Sequence, residues 1–133
     1  MPSLPTIAVA FIALGVVAAT LFPALSSLWA SPPENAEVLR DLVASGEAKL
    51  IDVRTPREFQ ANGLEGAVNI PLQELTQRYQ EMGAPDEPVV LYCRSGNRSG
   101  QAKAYLERQL GYQQVHDLGS LGSAKRAMTD EEM

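Results

Sequence analysis

After residue 33, apolar residues occur either in short continuous runs or at the three- and four-residue spacing of one face of a helix. Four runs of four residues each are rich in Val, Ile, Leu and Tyr, a composition typical of buried strands. They cover residues 50–53, 67–70, 89–92 and 115–118. Stripes with helical spacing lie before, between and after these runs. Strands that alternate with helices predict an α/β fold, with an open, mainly parallel sheet and helices on both faces.

Capping signals and glycines set the ends of the predicted helices. Ser31-Pro32-Pro33-Glu34 has the form of a capping box and opens a helix that ends at Gly46. A second box, Thr55-Pro56-Arg57-Glu58, opens a short helix that stops at Asn62-Gly63. A last short helix is predicted over residues 123–128. The apolar faces of three longer helices are predicted to be Val38, Leu39, Leu42 and Val43; Leu72, Leu75, Tyr79 and Met82; and Ala102, Tyr105, Leu106 and Leu110.

The first 33 residues contain no charged side chain, and residues 7–28 are almost wholly apolar. A stretch of that length can cross a bilayer as a helix. It also fits the apolar centre of a cleavable signal peptide, with Ala30 as a small residue at the cut, although no basic residue precedes it. We therefore predict three parts: residues 1–30 as a signal peptide or membrane anchor, residues 31–128 as one domain, and residues 129–133 as a disordered tail. Both accounts of the leader predict a periplasmic domain, either secreted or anchored to the inner membrane.

Composition excludes several classes of function. A net charge of −5 argues against nucleic acid, which requires clustered basic residues. A single cysteine permits neither an internal disulfide nor a Cys-x-x-Cys redox pair nor a cysteine-based zinc site. His116 is also alone, and we expect neither a metal site nor a cofactor.

The lone cysteine follows the most apolar predicted strand and precedes a predicted helix. A thiol at the carboxyl end of a strand, facing a helix start, lies where open α/β sheets place their ligands. The helix terminus and successive backbone N–H groups favour an anion there, and two arginines favour the thiolate. A lone cysteine is more often a small buried hydrophobe, but flanking arginines have no role in an apolar core. The segment is Cys93-Arg94-Ser95-Gly96-Asn97-Arg98-Ser99.

This segment resembles the active-site loop of the rhodanese family of sulfurtransferases, Cys-x-x-Gly-x-Arg-Ser. Residues 51–59, Ile-Asp-Val-Arg-Thr-Pro-Arg-Glu-Phe, are similar to the family's Asp-Val-Arg-x-x-x-Glu-Phe, and residues 66–71 to its Gly-Ala-x-Asn-Ile-Pro. The three motifs occur in the family's order, and the chain resembles the single-domain, periplasmic phage-shock type. It departs from the family at Asn62-Gly63-Leu64, where Gly-His-Ile is common, and at Gly119-Ser120-Leu121-Gly122, where an aromatic often follows a Gly-Gly pair.

The resemblance implies a rhodanese-like fold and a thiosulfate sulfurtransferase. Cys93 would take a sulfane sulfur from a small anionic donor such as thiosulfate and pass it, as a persulfide, to a thiol, cyanide or a protein acceptor. Arg94 and Arg98 would bind the donor, and Ser95, Gly96 and Asn97 would supply backbone N–H groups. Ser99 would donate to the persulfide or cap the following helix. Of the supporting residues, Asp52 would brace the loop backbone, and Arg54 is predicted to form an ion pair with Glu58, four residues on.

Two other functions remain open at this level. Cysteine phosphatases carry Cys-x5-Arg, and here Arg98 arrives one position sooner, so the loop should be too small for phosphate. A membrane-tethered sulfur carrier or binding module that delivers sulfur to a partner protein is the second alternative. Membrane contact, if any, is expected through residues 7–28.

Overall fold

The structure is a computed structural model that describes residues 36–129. The predicted leader, the capping box at residues 31–34 and the tail residues 130–133 lie outside the described residues. Thr129 is described, and its backbone N–H and hydroxyl both donate to the Lys125 carbonyl, at 3.0 and 2.8 Å. None of the helices within residues 36–129 has the length and apolar character needed to span a bilayer.

Four parallel strands form the sheet, and this confirms the predicted fold class. The strands are β1 (Lys49–Asp52), β2 (Val68–Asn69), β3 (Val89–Tyr92) and β4 (Val115–Asp117). Their order across the sheet is β2-β1-β3-β4, and every pairing is parallel. Asp52 pairs with both Asn69 and Tyr92, so the carboxyl ends of β1, β2 and β3 reach the same edge. In such sheets that edge is where ligands bind.

The helices match the predicted stripes, with one break. They are α1 (Ala36–Ser45), α2 (Pro56–Asn62), α3 (Leu75–Arg78), α4 (Asn97–Gln109) and α5 (Leu121–Met128). The helix predicted along Leu72, Leu75, Tyr79 and Met82 is wrong as one continuous element. Only α3 is α-helical, and 3₁₀ turns cover Leu72–Glu74 and Tyr79–Met82. The first and last spacings of that stripe are three residues, and a 3₁₀ turn brings positions three apart onto one side.

Successive side chains of β3 point to opposite faces of the sheet and pack in two different apolar clusters. Val89 and Leu91 point into one apolar cluster, which also contains Leu75 of α3 and Leu106 of α4. Val90 and Tyr92 point into a second cluster, where Leu39 of α1 and Ala124 of α5 pack. Helices therefore cover both faces, as predicted. Cys93, the residue after β3, continues the alternation into the first cluster.

One position of the predicted α1 face is wrong. Val38 is 51% exposed, whereas Leu39 is buried and both Leu42 and Val43 pack partly against the second cluster. Val38 lies in the first turn of α1, at the edge of the stripe. Contact between α1 and α5 continues through Arg40, whose guanidinium donates to the carbonyls of Ala127 and Thr129 at 3.1 and 3.2 Å.

Candidate active site

The loop between β3 and α4 wraps its backbone around the sulfur of Cys93. Gly96 precedes α4 with φ +97° and ψ −13°, a left-handed conformation that L side chains rarely adopt. In this conformation the Gly96 N–H donates to Cys93 Sγ at 3.0 Å. The sequence placed a thiol at the start of a helix, and the structure shows the backbone turn that puts a donor on it.

Hydrogen bonds control the protonation of this thiol. Burial raises the pKa of Cys93, but the Ser99 side chain and the backbone N–H groups of Ser99, Gly96 and Ser95 lower it more, so the net direction is down. Sγ donates to Ser99 Oγ at 3.4 Å, and the Ser99 hydroxyl donates to the Gly96 carbonyl at 3.2 Å, so the hydroxyl must turn to donate to Sγ once Cys93 is ionised. The pKa of Cys93 is therefore lowered, which is the predicted direction, but the main causes are these hydrogen bonds and not the two arginines.

Cys93 is also fully enclosed, with 0% of its surface exposed. It belongs to the apolar cluster that includes Leu91 and Ala102, and the polar contacts of its sulfur come from the loop side: the backbone N–H groups of residues 95, 96 and 99 and the Ser99 hydroxyl. The sulfur thus lies at a boundary between hydrocarbon and a ring of donors. A reactant can approach it only from the loop side.

Arg98 is held by a carboxylate on α2. Its Nη1 and Nη2 donate to Glu58 Oε1 and Oε2 at 2.7 and 3.0 Å, a bidentate ion pair. The hydrogen bond from Arg98 lowers the pKa of Glu58 to about 2, against the effect of burial and with help from Thr55. The predicted Arg54–Glu58 pair is therefore wrong. Glu58 turns towards the cysteine loop, because the Arg54 guanidinium is bound elsewhere.

Arg54 is bound by the fully buried Asp52. Its Nε lies 3.0 Å from both carboxylate oxygens, its Nη2 donates to Oδ2 at 2.8 Å, and its backbone N–H donates to Oδ1 at 2.9 Å. The remaining edge of the guanidinium donates to Asn62 Oδ1 at 2.7 Å. Asp52 was predicted to brace the cysteine loop. Its carboxylate instead fixes Arg54, two residues away.

A cavity of about 360 Å³ opens beside the loop. It is lined by Arg54, Glu58, Ala61, Asn62, Arg94 and Leu121. Arg94 is exposed, and no hydrogen bond or ion pair joins it to another residue in the part of the chain that the structure describes. Arg94 thus brings an uncompensated positive charge to a cavity whose other charged groups, Arg54 and Glu58, are already paired.

The predicted site residues therefore fall into different positions. Cys93, Gly96 and Ser99 form the sulfur's surroundings, and Arg94 and Arg54 line the cavity. Ser95 and Asn97 are exposed, and the Asn97 side chain accepts from Gln101 at 3.3 Å. Within residues 36–129, no three His, Cys, Asp or Glu side chains lie close enough together to hold a metal ion.

Sequence reasoning missed a second segment that contacts the loop. The Cys93 N–H donates to the Gly119 carbonyl at 2.9 Å, and Ser95 pairs with Ser120 in an antiparallel bridge. Gly119 is itself held by Asp117, whose Oδ1 accepts from its N–H at 2.8 Å. Because β4 is parallel to β3, its carboxyl end reaches the same edge of the sheet as Cys93. The predicted parallel sheet could therefore have indicated that the residues after β4 contact the loop. Glu58, Ala61, Asn62 and Leu121 had no comparable signal as cavity residues.

Comparison with known proteins gives a consistent result. The model of the Rhodanese-like domain matches residues 35–121. The thiosulfate sulfurtransferase PspE of Escherichia coli (strain K12) is 42% identical over 73 residues, covering 53% of this chain and 68% of that protein. The thiosulfate:glutathione sulfurtransferase of Homo sapiens is 38% identical over 95 residues, covering 62% and 82%. A solved structure described as a rhodanese with anions from E. coli superimposes with a TM-score of 0.53 at 38% identity, covering 56% of this chain and 88% of that one. By the extent of the family match, this chain belongs to the rhodanese-like domain family.

Proposed function

We propose that this protein is a thiosulfate sulfurtransferase that carries the transferred sulfur as a persulfide on Cys93. The proposal rests on the surroundings of the Cys93 sulfur. It accepts a hydrogen bond from the Gly96 N–H at 3.0 Å and lies 3.4 Å from the Ser99 hydroxyl, and the pKa of Cys93 is lowered. Thiolate and not thiol is the attacking species in such chemistry. The names of the two curated relatives support a thiosulfate donor.

In the first step, the Cys93 thiolate attacks the outer sulfur of thiosulfate. A new S–S bond forms to Sγ, the S–S bond of thiosulfate breaks, and sulfite leaves with the bonding electron pair. Arg94 lines the cavity without a counter-charge, so it would bind the dianionic donor and stabilise charge on the departing sulfite. The step needs no proton transfer when Cys93 is already ionised.

In the second step, a nucleophilic acceptor removes the outer sulfur. Cyanide would attack it to form thiocyanate, and a thiol such as glutathione would form its own persulfide; Cys93 leaves as the thiolate in both cases. Until then, the persulfide charge would be held by the N–H groups of residues 95, 96 and 99, which already face the sulfur. Two sequential displacements predict ping-pong kinetics.

Enclosure of Cys93 imposes a condition on both steps. Ser95 and Arg94 follow Cys93 in the loop and are exposed, whereas the opposite side of the cysteine packs in the core. We expect the donor to reach Sγ from this side, with Ser95 moving aside and Arg94 turning to bind the donor. Residues on the core side need not move.

The test is intact-mass analysis after incubation with thiosulfate and removal of excess donor. We expect a gain of one sulfur atom that cyanide removes as thiocyanate, and no gain in Cys93→Ser. Arg94→Ala should raise the KM for thiosulfate. Arg108→Ala, which removes an exposed arginine at the far end of α4, is the matched control and should leave that KM unchanged. A thiosulfate-treated wild-type protein of unaltered mass would refute the proposal.

Two further assays separate the alternatives. Loading with sulfur but no turnover onto cyanide or glutathione would indicate a carrier that serves a partner protein. Hydrolysis of a generic aryl phosphate would indicate phosphatase chemistry. The Glu58–Arg98 pair argues against phosphatase chemistry, because it occupies the guanidinium that a phosphoryl group would require.

We further propose that residues 1–30 direct the domain to the periplasm, as a cleaved signal or as an inner-membrane anchor. Support comes from the absence of charge in the first 33 residues. Intact masses of the protein from soluble and membrane fractions would separate the two accounts. A full-length protein in the cytoplasmic fraction would contradict both.

A further inference from the structure

We propose that Glu58 and Arg98 form a positioning pair that fixes the first turn of α4 against α2, and that Arg94 alone binds the donor. The inference rests on the proposed sulfur-transfer function and deepens it. From the sequence, both arginines were expected to bind the donor. The inference assigns donor binding to Arg94 and positioning of the loop to Arg98.

The geometry of Arg98 is the first support for a positioning role. Both terminal nitrogens of its planar guanidinium meet both oxygens of Glu58, at 2.7 and 3.0 Å, and a bidentate contact of this kind fixes orientation as well as distance. Arg98 stands two residues after Gly96 and directly before Ser99. The N–H and the hydroxyl that contact Sγ therefore lie on either side of the fixed residue.

Glu58 is itself anchored. Its Oε1 accepts from the backbone N–H and the hydroxyl of Thr55, at 3.2 and 3.1 Å, and its own N–H donates to Thr55 Oγ1 at 3.2 Å. This reciprocal cap locks the carboxylate to the start of α2, which follows β1 closely. The ion pair thus joins the segments that leave β1 and β3, two neighbouring strands of the sheet.

The distribution of charge around the loop is the second support, and it concerns which arginine binds the donor. The charged groups around the loop are Arg94 on the loop, Arg98 on α4, Glu58 on α2 and Asp117 at the end of β4. Asp52 and Arg54 at the end of β1 are also close, but they neutralise each other at 2.8 Å. Arg98 is neutralised by Glu58 at direct contact, whereas Arg94 is exposed and lines the cavity. A dianionic donor would therefore be attracted mainly to Arg94.

The experiment compares Glu58→Gln and Glu58→Asp with wild type in two assays. The first is the pH profile of Cys93 alkylation by iodoacetamide, and the second is the steady-state kinetics with thiosulfate and cyanide. Asp keeps the charge but is one methylene shorter, so neither variant can make the bidentate contact. If the pair positions the loop, both variants should shift the alkylation midpoint upward by on the order of one pH unit and lower kcat about tenfold. The KM for thiosulfate should stay within about twofold of wild type, since Arg94 is intact.

Glu81→Gln is the matched control. Glu81 also holds an arginine by a bidentate contact, with Arg78 Nε and Nη2 at 2.7 and 3.0 Å, on the exposed surface of the segment between β2 and β3. Loss of that pair should change neither the alkylation midpoint nor kcat. A parallel loss of activity in Glu81→Gln would show that the Glu58 effect is general destabilisation and would overturn the proposal.

Three results would contradict the positioning role. A lower alkylation midpoint in Glu58→Gln with an unchanged one in Glu58→Asp would mean that Glu58 acts through its charge. A raised KM with unchanged kcat in Arg98→Lys would assign donor binding to Arg98. Additive losses in the double variant Glu58→Gln/Arg98→Lys would show that the two residues do not act as a unit.

Arg98→Lys also tests the pair from the other side should the Glu58 variants fail to fold, because lysine keeps the charge without the fork. Alkylation requires no sulfur transfer. A wild-type protein that gains no sulfur would therefore refute the proposed function, while the alkylation profiles would still decide on the positioning pair.

Discussion

Gly96 offers the sharpest test of how the backbone activates Cys93. Replacement by alanine places a side chain on a residue with φ +97°. Strain of this kind costs on the order of 1–3 kcal/mol. The new Cβ would lie 3.5 Å from the Cα of Gly119, which is ordinary van der Waals contact and adds no steric cost. We expect Gly96→Ala to lower the free energy of unfolding by about 1–2 kcal/mol.

Relief of that strain would turn the residue-96 N–H away from Sγ. A hydrogen bond to a charged group contributes about 1.5–3 kcal/mol, so its loss should raise the pKa of Cys93 by roughly one to two units. The alkylation midpoint should rise by the same amount, and the rate of persulfide formation at a pH well below that midpoint should fall about tenfold for each unit. The assays are urea unfolding, the pH profile of iodoacetamide alkylation, and single-turnover sulfur loading from thiosulfate.

Gly46→Ala is the control for backbone strain without the thiol. Gly46 has φ +82° just after α1, and an added Cβ would meet nothing within 4 Å. It should cost a similar free energy of unfolding and leave Cys93 unaltered. If Gly96→Ala lost stability but kept the wild-type alkylation profile, the backbone N–H would not be what activates the sulfur.

Two further predictions concern Ser99 and Glu58. Ser99→Ala should raise the pKa of Cys93 and slow sulfur loading, while the Gly96 carbonyl keeps its bond from the Gly100 N–H at 3.0 Å; an unmoved alkylation midpoint would contradict this. The Glu58 carboxylate, with its pKa lowered to about 2 from 4.5, should stabilise the fold fully above pH 4.5 and lose that effect as pH falls from about 4.5 to about 2. After allowance for partial exposure, that contribution is about 1 kcal/mol. The stability difference between wild type and Glu58→Gln, measured by urea unfolding, should therefore vanish near pH 2, and a pH-independent difference would refute the assignment.

The fold followed from local pattern. The runs at residues 50–53 and 89–92 are buried on both faces, so their hydrophobicity alone indicated interior parallel strands. The Thr55 box predicted α2 correctly, because a cap depends only on residues three apart. The helix predicted at Leu72–Met82 broke because periodicity reports which side faces the core and not which helical geometry brings it there.

Contacts across the sheet could not be obtained in this way. Glu58 has Arg54 four residues before it, and local spacing favoured that pair. Fully buried Asp52 needs a counter-charge more than partly buried Glu58 does, and it pairs with Arg54. Glu58 then binds Arg98, 40 residues away, because the sheet places the ends of β1 and β3 side by side.

If hydrogen bonds rather than the two arginines lower the pKa of Cys93, its reactivity should not depend on salt concentration. Backbone N–H groups and Ser99 surround a buried sulfur, and salt does not screen such short contacts, whereas it screens the attraction between exposed Arg94 and an anion. Raising the ionic strength from about 0.01 M to about 1 M shortens the screening length from roughly 30 Å to 3 Å. The alkylation midpoint of Cys93 should then stay constant while the KM for thiosulfate rises. If the midpoint climbs together with the KM, charge on the arginines and not the backbone donors would set the reactivity of Cys93.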